Sequence, residues 1–172
     1  MLPRRDRAAL AHAFAASGVS WTDAAVAQFA VQQGLSVAEC KTLWPRGARS
    51  VAWDLNKSAD RAMQRRWRGE TPGLREIVLH RFADNAALKR SIGTLARSDS
   101  MHPCNTLART AETARRMILC AGGYRSAPPL GHFLERWLLV FAYSFCVLVW
   151  LADDRADQRA TRRAVTLLIG AR

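Results

Sequence analysis

Apolar residues recur along the chain three and four positions apart, the spacing of a helical face, and no useful stretch alternates with the period of two that a strand requires. The first such run reaches from Arg4 to Ala16, where Leu10, Ala13 and Phe14 share a face before Gly18 stops it. A second begins near Ser20 or Thr22, either able to cap it, and carries Trp21, Ala25 and Phe29 on one side as far as Gly34. Ser36 and Glu39 form the S-x-x-E capping box of a short third helix that must end before Pro45. Together these predict a helix-turn-helix-like trihelix over residues 1–45.

Residues 46–172 continue in the same mode. From Arg46 to Arg68, Val51, Leu55, Ala59 and Ala62 repeat on one side, and Thr71 with Pro72 suits the cap and first turn of a helix that turns Leu74, Ile77, Val78 and Phe82 inward. Leu88, Ile92 and Leu95 mark another short helix. Asn105 caps a run to about Ala121 that Gly122 and Gly123 end, and Ser126 to Gly131 with its Pro-Pro pair predicts a loop. His132 to Ala152 is the most apolar helix, and Asp157 can cap a last one to Ile169. The predicted fold is all-α, about nine helices, with the trihelix followed by a ligand-binding and dimerisation bundle at 46–172 in one compact unit.

Composition narrows the class. The 172 residues are 49% hydrophobic and 23% charged, enough apolar material for a sizeable core, which excludes wholesale disorder. The run from Trp137 to Ala152 contains Tyr143 and Ser144 and falls short of the roughly 18 to 20 residues that span a bilayer, so a buried helix is expected. The N-terminal residues lack the apolar core of a secretory signal. Cys40, Cys104, Cys120 and Cys146 are widely spaced without a C-x-x-C pair, which predicts free thiols in a reducing compartment and no metal site. Lys and Arg number 26 against 14 Asp and Glu, a net charge of +12 that suits a polyanionic partner, nucleic acid or anionic membrane.

The candidate chemistry is thin. Ser36 to Leu43 occupies the recognition position of a helix-turn-helix, but only Lys41 and Thr42 are DNA-contact candidates and Glu39 repels phosphate, so a structural role for the trihelix is preferred to DNA reading. Arg61, Arg65 and Arg68 share a stripe at helical spacing beside Arg66. That cluster is either a solvated helix end complementing the dipole or a site for phosphate and anionic lipid headgroups. Arg115 with Arg116 and Arg162 with Arg163 are weaker versions of it. His12, His80, His102 and His132 have no i, i+4 partner among themselves, His102 and Cys104 lack a third partner, and Asp153 and Asp154 point apart, so no catalytic residue or cofactor is assigned. Phe133, Trp137, Val140, Phe141, Phe145, Leu148 and Trp150 place large apolar groups all round one helix, with core, dimer interface and lipid-filled cavity as their three destinations and core the default.

The order of several segments resembles a known family. Leu43-Trp44-Pro45-Arg46-Gly47 after the trihelix is similar to the Leu-Phe-Pro-x-Gly segment of the ubiquinone (coenzyme Q) biosynthesis accessory proteins, which have a tetracycline-repressor-like fold turned to lipid binding. Arg136-Trp137-Leu138-Leu139, Ala142-Tyr143, Trp150-Leu151-Ala152-Asp153-Asp154 and Ala160-Thr161-Arg162-Arg163 resemble that family's closing helices, with Thr110-Ala111-Glu112 and Ala121-Gly122 between. The resemblance implies a homodimer built on the last two helices. It also implies an apolar pocket for an isoprenoid or other lipid, whose lining would be Met117, Ile118, Phe133, Trp137, Phe141 and Phe145. The implied role is non-catalytic, presenting quinone intermediates to membrane-associated enzymes, among them a di-iron quinone hydroxylase, at the inner membrane of a bacterium. Ile118, Gly122-Gly123 and Ser126-Ala127-Pro128-Pro129 depart from the family where the hydroxylase surface falls. The alternative is a tetracycline-repressor-type transcription regulator with a hydrophobic ligand pocket.

Overall fold

A computed structural model describes residues 6–99, 103–124 and 128–170, and among them the protein is all-α, with nine α-helices and no strand. In chain order these are α1 (Arg7–Ala16), α2 (Asp23–Gln32), α3 (Val37–Leu43), α4 (Gly47–Arg66), α5 (Leu74–Asp84), α6 (Lys89–Asp99), α7 (Pro103–Cys120), α8 (Pro129–Ala152) and α9 (Arg159–Leu168), with a 3₁₀ turn over Ala86–Leu88 leading into α6.

Side-chain caps set the early boundaries. Asp6 accepts from the Ala8 amide and Thr22 from the Ala25 amide. Ser36 and Glu39 satisfy each other's backbone N–H groups in a complete capping box. The expected start at Arg4 lies outside the described residues.

Four other boundaries differ from expectation, each for a backbone reason. Gly73, extended at φ −68° and ψ 148°, is the N-cap of α5, so Thr71 and Pro72 precede the helix. Pro103 opens α7 and Pro129 opens α8, because proline's missing N–H and fixed φ suit the first helical position. Asn105 is therefore inside α7, and Pro129 to Gly131, expected to be loop, is helix; Ser126 and Ala127 lie outside the described residues. At α9 the N-cap is Gln158 in the left-handed region, not Asp157, although Asp157 still accepts from the Arg159 amide.

The chain groups into two compact units, Met1–Ser58 with Ala87–Asn105, and Ala59–Ala86 with Thr106–Arg172. The expected division at Pro45 within one compact unit differs from this, because the first half of α4 belongs to the trihelix's core through Val51, Ala52 and Leu55. In that core Phe14 packs edge-on against Trp21 and Phe29, with ring centroids 5.1 and 5.4 Å apart. The indole N–H of Trp21 donates to the Ser91 carbonyl at 3.0 Å, fastening α6 to the trihelix across 70 residues of sequence. Trp44 is buried and donates its own indole N–H to Asp54 at 3.1 Å.

The turn from α3 to α4 depends on one glycine. Gly47 has φ +50°, and a Cβ there would overlap the carboxylate of Asp23, which accepts from the Ala48 amide at 2.9 Å and so caps α4.

The second unit is built from the end of α4 with α5, α7, α8 and α9. Ile77, Val78, Ala114, Met117, Val140 and Val165 are fully buried in it. Phe82 stacks on Trp150 with centroids 5.2 Å apart and planes 7° from parallel. Burial pushes the Cys146 thiol up to about 11, so it behaves as a small apolar group.

Gly47→Ala is expected to destabilise the protein by about 1–3 kcal/mol, since it adds left-handed strain and displaces the capping carboxylate. Urea unfolding followed by circular dichroism measures this, and an unchanged midpoint would contradict it.

Candidate functional site

The geometry of the second unit starts from a charge with no exposure. Asp60, on α4, is fully buried, and a carboxylate removed from water must find partners. Arg81 of α5 lies 2.7 Å from Oδ1, Thr113 of α7 donates its hydroxyl at 3.2 Å, and the Nε of Arg116 lies 3.6 Å from Oδ2. Burial pushes the Asp60 carboxyl above its ordinary value, against the opposing pull of the two guanidinium groups. Arg81 also donates from Nε to the Tyr143 hydroxyl at 3.0 Å, which brings α8 into the same network. At its edge Glu112 accepts hydrogen bonds from Arg115 and Arg116, and these hold its carboxyl down at about 2.

The contact to Tyr143 orients α8. A helix that is apolar on nearly every side has little amphipathic stripe to orient it, so a polar contact such as that of Tyr143 helps to select the inner face. Leu139, Val140, Tyr143, Cys146 and Trp150 face inward. Arg136 adds a second clamp by donating to the Ala111 carbonyl of α7 at 3.1 Å.

The opposite face is bare. Phe133, Phe141 and Phe145 are 57%, 66% and 55% exposed, and Leu130, Leu134, Leu138 and Leu148 are exposed with them. Phe133, Trp137 and Phe141 form a ladder at four-residue spacing, with centroids 6.0 and 6.1 Å apart. No charged residue occurs from Trp137 to Ala152. By length and composition α8 could cross a membrane, yet only 28% of its most apolar stretch is buried, where the central helix of a soluble core is mostly buried. A contiguous apolar surface of this kind marks a binding face.

This corrects two expectations. The helix is not buried on all sides, and the six proposed lipid-lining residues do not line one pocket. Met117 and Ile118 are core residues of α7, whereas Phe133, Phe141 and Phe145 face outward and Trp137 is half-buried. Periodicity could say that α8 needs partners on every side; it could not say which face the fold itself covers.

The other candidates are placed as follows. Arg61, Arg65, Arg66 and Arg68 are all exposed, but α4 ends at Arg66, so Arg68 leaves the stripe that Arg61 and Arg65 share. Arg66 is occupied by Asp84 at 3.0 Å and by His80 at 2.9 Å. Lys41 and Thr42 are exposed on α3, where the Thr42 hydroxyl donates to the Ala38 carbonyl and Glu39 is tied to Ser36. His12 contacts the Ser58 hydroxyl at 2.7 Å and His132 stacks on Tyr124 at 4.5 Å, while His102 lies outside the described residues. Asp153 and Asp154 do point apart: Asp153 is buried, accepting from the Thr161 amide and hydroxyl, and Asp154 is exposed. Among the described residues no three His, Cys, Asp or Glu side chains are grouped to hold a metal ion.

The Asp60, Arg81, Thr113 and Tyr143 network was not foreseen. Its one signal in the sequence is an acid at an inward position of α4, between Ala59 and Met63. No family model matches the chain, and no curated protein matches it.

Arg81→Met is expected to cost about 3–5 kcal/mol, because it leaves the Asp60 charge buried without its closest partner and frees Tyr143. Urea unfolding at neutral pH tests this; a loss below about 1 kcal/mol would mean that the network does not organise the unit. Glu112 carries the opposite pH sign to Asp60. Its folded value lies below its ordinary 4.5, so its contribution is present above pH 4.5 and disappears as pH falls toward about 2. Glu112→Gln should flatten the stability curve over that window, as read by thermal melts from pH 5 to pH 2.

Proposed function

We propose that the protein is a non-catalytic lipid-binding protein of the bilayer surface, which presents hydrophobic isoprenoid quinone intermediates to membrane-associated enzymes of ubiquinone biosynthesis. The observation that carries this reading is the outward face of α8, charge-free from Trp137 onward and lined by Phe133, Leu138, Phe141 and Phe145. Covering such side chains is favourable by about 25 cal/mol per Å² of apolar surface, and an isoprenoid chain laid along the helix supplies that cover.

The bilayer offers an isoprenoid nearly the same gain. Net extraction into water is therefore weak, and the protein works at the membrane surface. Its net charge of +12 favours an anionic leaflet, at about 1 kcal/mol for each well-placed Lys or Arg. The family resemblance supports the quinone assignment and a bacterial inner membrane as the place of action. The repressor reading finds less support: Glu39 repels phosphate, and with only Lys41 and Thr42 as contact candidates, the Thr42 hydroxyl donating to the Ala38 carbonyl, α3 has little with which to read bases.

A second copy of the chain competes with lipid for the same face. In lipid-free solution the reading therefore includes a homodimer through α8 and α9, where Leu167 and Leu168 are also exposed. Sedimentation velocity should show that dimer giving way as short-chain lipid is added, and a dilution-resistant monomer without lipid would overturn this part.

The lipid itself is tested by mass spectrometry of extracts from the purified native protein. Phe141→Asp should strip the copurifying lipid by setting a charge in the apolar face, with circular dichroism unchanged because the position is already exposed. Arg61→Glu with Arg65→Glu should keep the lipid and weaken binding to anionic vesicles. A folded Phe141→Asp variant that keeps its full lipid complement overturns the reading.

A further inference from the structure

A groove of about 580 Å³ lies within the second unit, where α5 packs beside α9. Gly73, Leu79 and Ala83 give it an apolar floor, and Arg75, Glu76, His80 and Arg162 give it a polar rim. Along α5, residues 76, 79, 80 and 83 follow the i, i+3, i+4, i+7 spacing of one face, opposite the buried Ile77, Val78 and Phe82. The volume falls in the range of small-molecule sites, about 300–1,000 Å³.

Its imidazole donor is held in place. The Nη1 of Arg66 lies 2.9 Å from the Nδ1 of His80, and since a guanidinium can only donate, Nδ1 is the acceptor and the imidazole proton sits on Nε2. Arg66 is itself anchored by Asp84, and the imidazole rests edge-on against Trp67 with centroids 5.3 Å apart. Among the described residues the carboxylate recorded near Nε2 is Glu76, 4.0 Å away and beyond hydrogen-bonding range, so this oriented N–H remains available to a ligand. Among the described residues Arg162 spends only its Nε, on the Asp157 carbonyl, which leaves both of its terminal nitrogens. Arg75 has no hydrogen-bond or ion-pair partner among the described residues. Two guanidinium groups and a fixed imidazole N–H thus oppose one carboxylate across an apolar floor.

We propose that this groove binds a phosphate ester, with its phosphoryl oxygens on Arg75, Arg162 and the Nε2–H of His80 and its ester substituent on Leu79 and Ala83. Guanidinium forks match phosphate oxygens in pairs, and the apolar floor separates an ester from inorganic phosphate. The proposal does not rest on the role of α8, since the groove shares no residue with the exposed face of that helix. A phospholipid headgroup and a soluble phosphate ester present the same chemistry.

Trp67 provides the reporter. Its indole N–H signal in nitrogen-15-labelled whole protein, assigned with Trp67→Phe, should shift saturably with phenyl phosphate. Inorganic phosphate should act at least about tenfold more weakly and phenol not at all. Arg75→Ala with Arg162→Ala should weaken phenyl phosphate binding by about tenfold or more, as loss of charge-assisted hydrogen bonds requires. Arg46→Ala, exposed in the first unit and outside the groove, should leave it unchanged. Vesicles distinguish the sources. A response to phosphatidylglycerol but not to phosphatidylcholine assigns the site to a membrane headgroup, whereas a response to phenyl phosphate alone assigns it to a soluble ester. Absence of a saturable shift with both phenyl phosphate and phosphatidylglycerol, or an equal shift in the double arginine variant, overturns the proposal.

Discussion

Asp60 is a carboxylate in a place where none is stable alone, and the architecture of the second unit is the arrangement that makes it tolerable. Three other helices converge on it: α5 brings Arg81, α7 brings Thr113 and Arg116, and α8 reaches it through Tyr143 and Arg81. Replacing the whole network with well-packed apolar groups would give a unit of similar stability, since buried ion pairs roughly break even against such groups. What the network contributes is discrimination. Apolar packing among Phe82, Leu139, Val140 and Trp150 tolerates small rotations of α8, whereas a hydroxyl that must meet an arginine tolerates very few.

That discrimination has a functional side. Fixing the inward face of an all-round apolar helix also fixes the outward one. The exposed aromatic ladder is thus held by the protein at a constant angle, whether or not anything covers it. On the lipid-binding reading proposed above, a face held this way is in position before anything covers it.

Local chemistry was legible in the sequence and long-range chemistry was not. Thr22, Ser36 and Glu39 announce their helix starts because a cap contacts its own first turn. α7 and α8 start at Pro103 and Pro129, because proline's fitness for a first helical turn competes with its power to break a helix, and spacing alone does not say which prevails. Asp153, which closes the start of α9 from eight residues away, exceeds the reach of any capping motif. Asp60 lies 21 residues from Arg81 and 53 from Thr113, and hydrophobic spacing carries no information about such pairs. The candidate site divides in the same way: the apolar character of α8 was plain, but which side of it meets solvent depends on Tyr143 and a partner 62 residues away.

The interleaving of the two units along the chain has a consequence for synthesis. The trihelix leaves the ribosome first, but Trp21 has no acceptor until Ser91 has been made, so the N-terminal core waits for a segment beyond α5. During that wait α5 itself is unfinished. Phe82 is translated roughly 70 residues before Trp150, the ring it stacks on, an interval of several seconds at about 5–20 residues per second. Through those seconds Phe82 lacks the ring it stacks on. The nascent chain is most exposed to aggregation and to chaperone capture in this window, which closes only when α8 emerges.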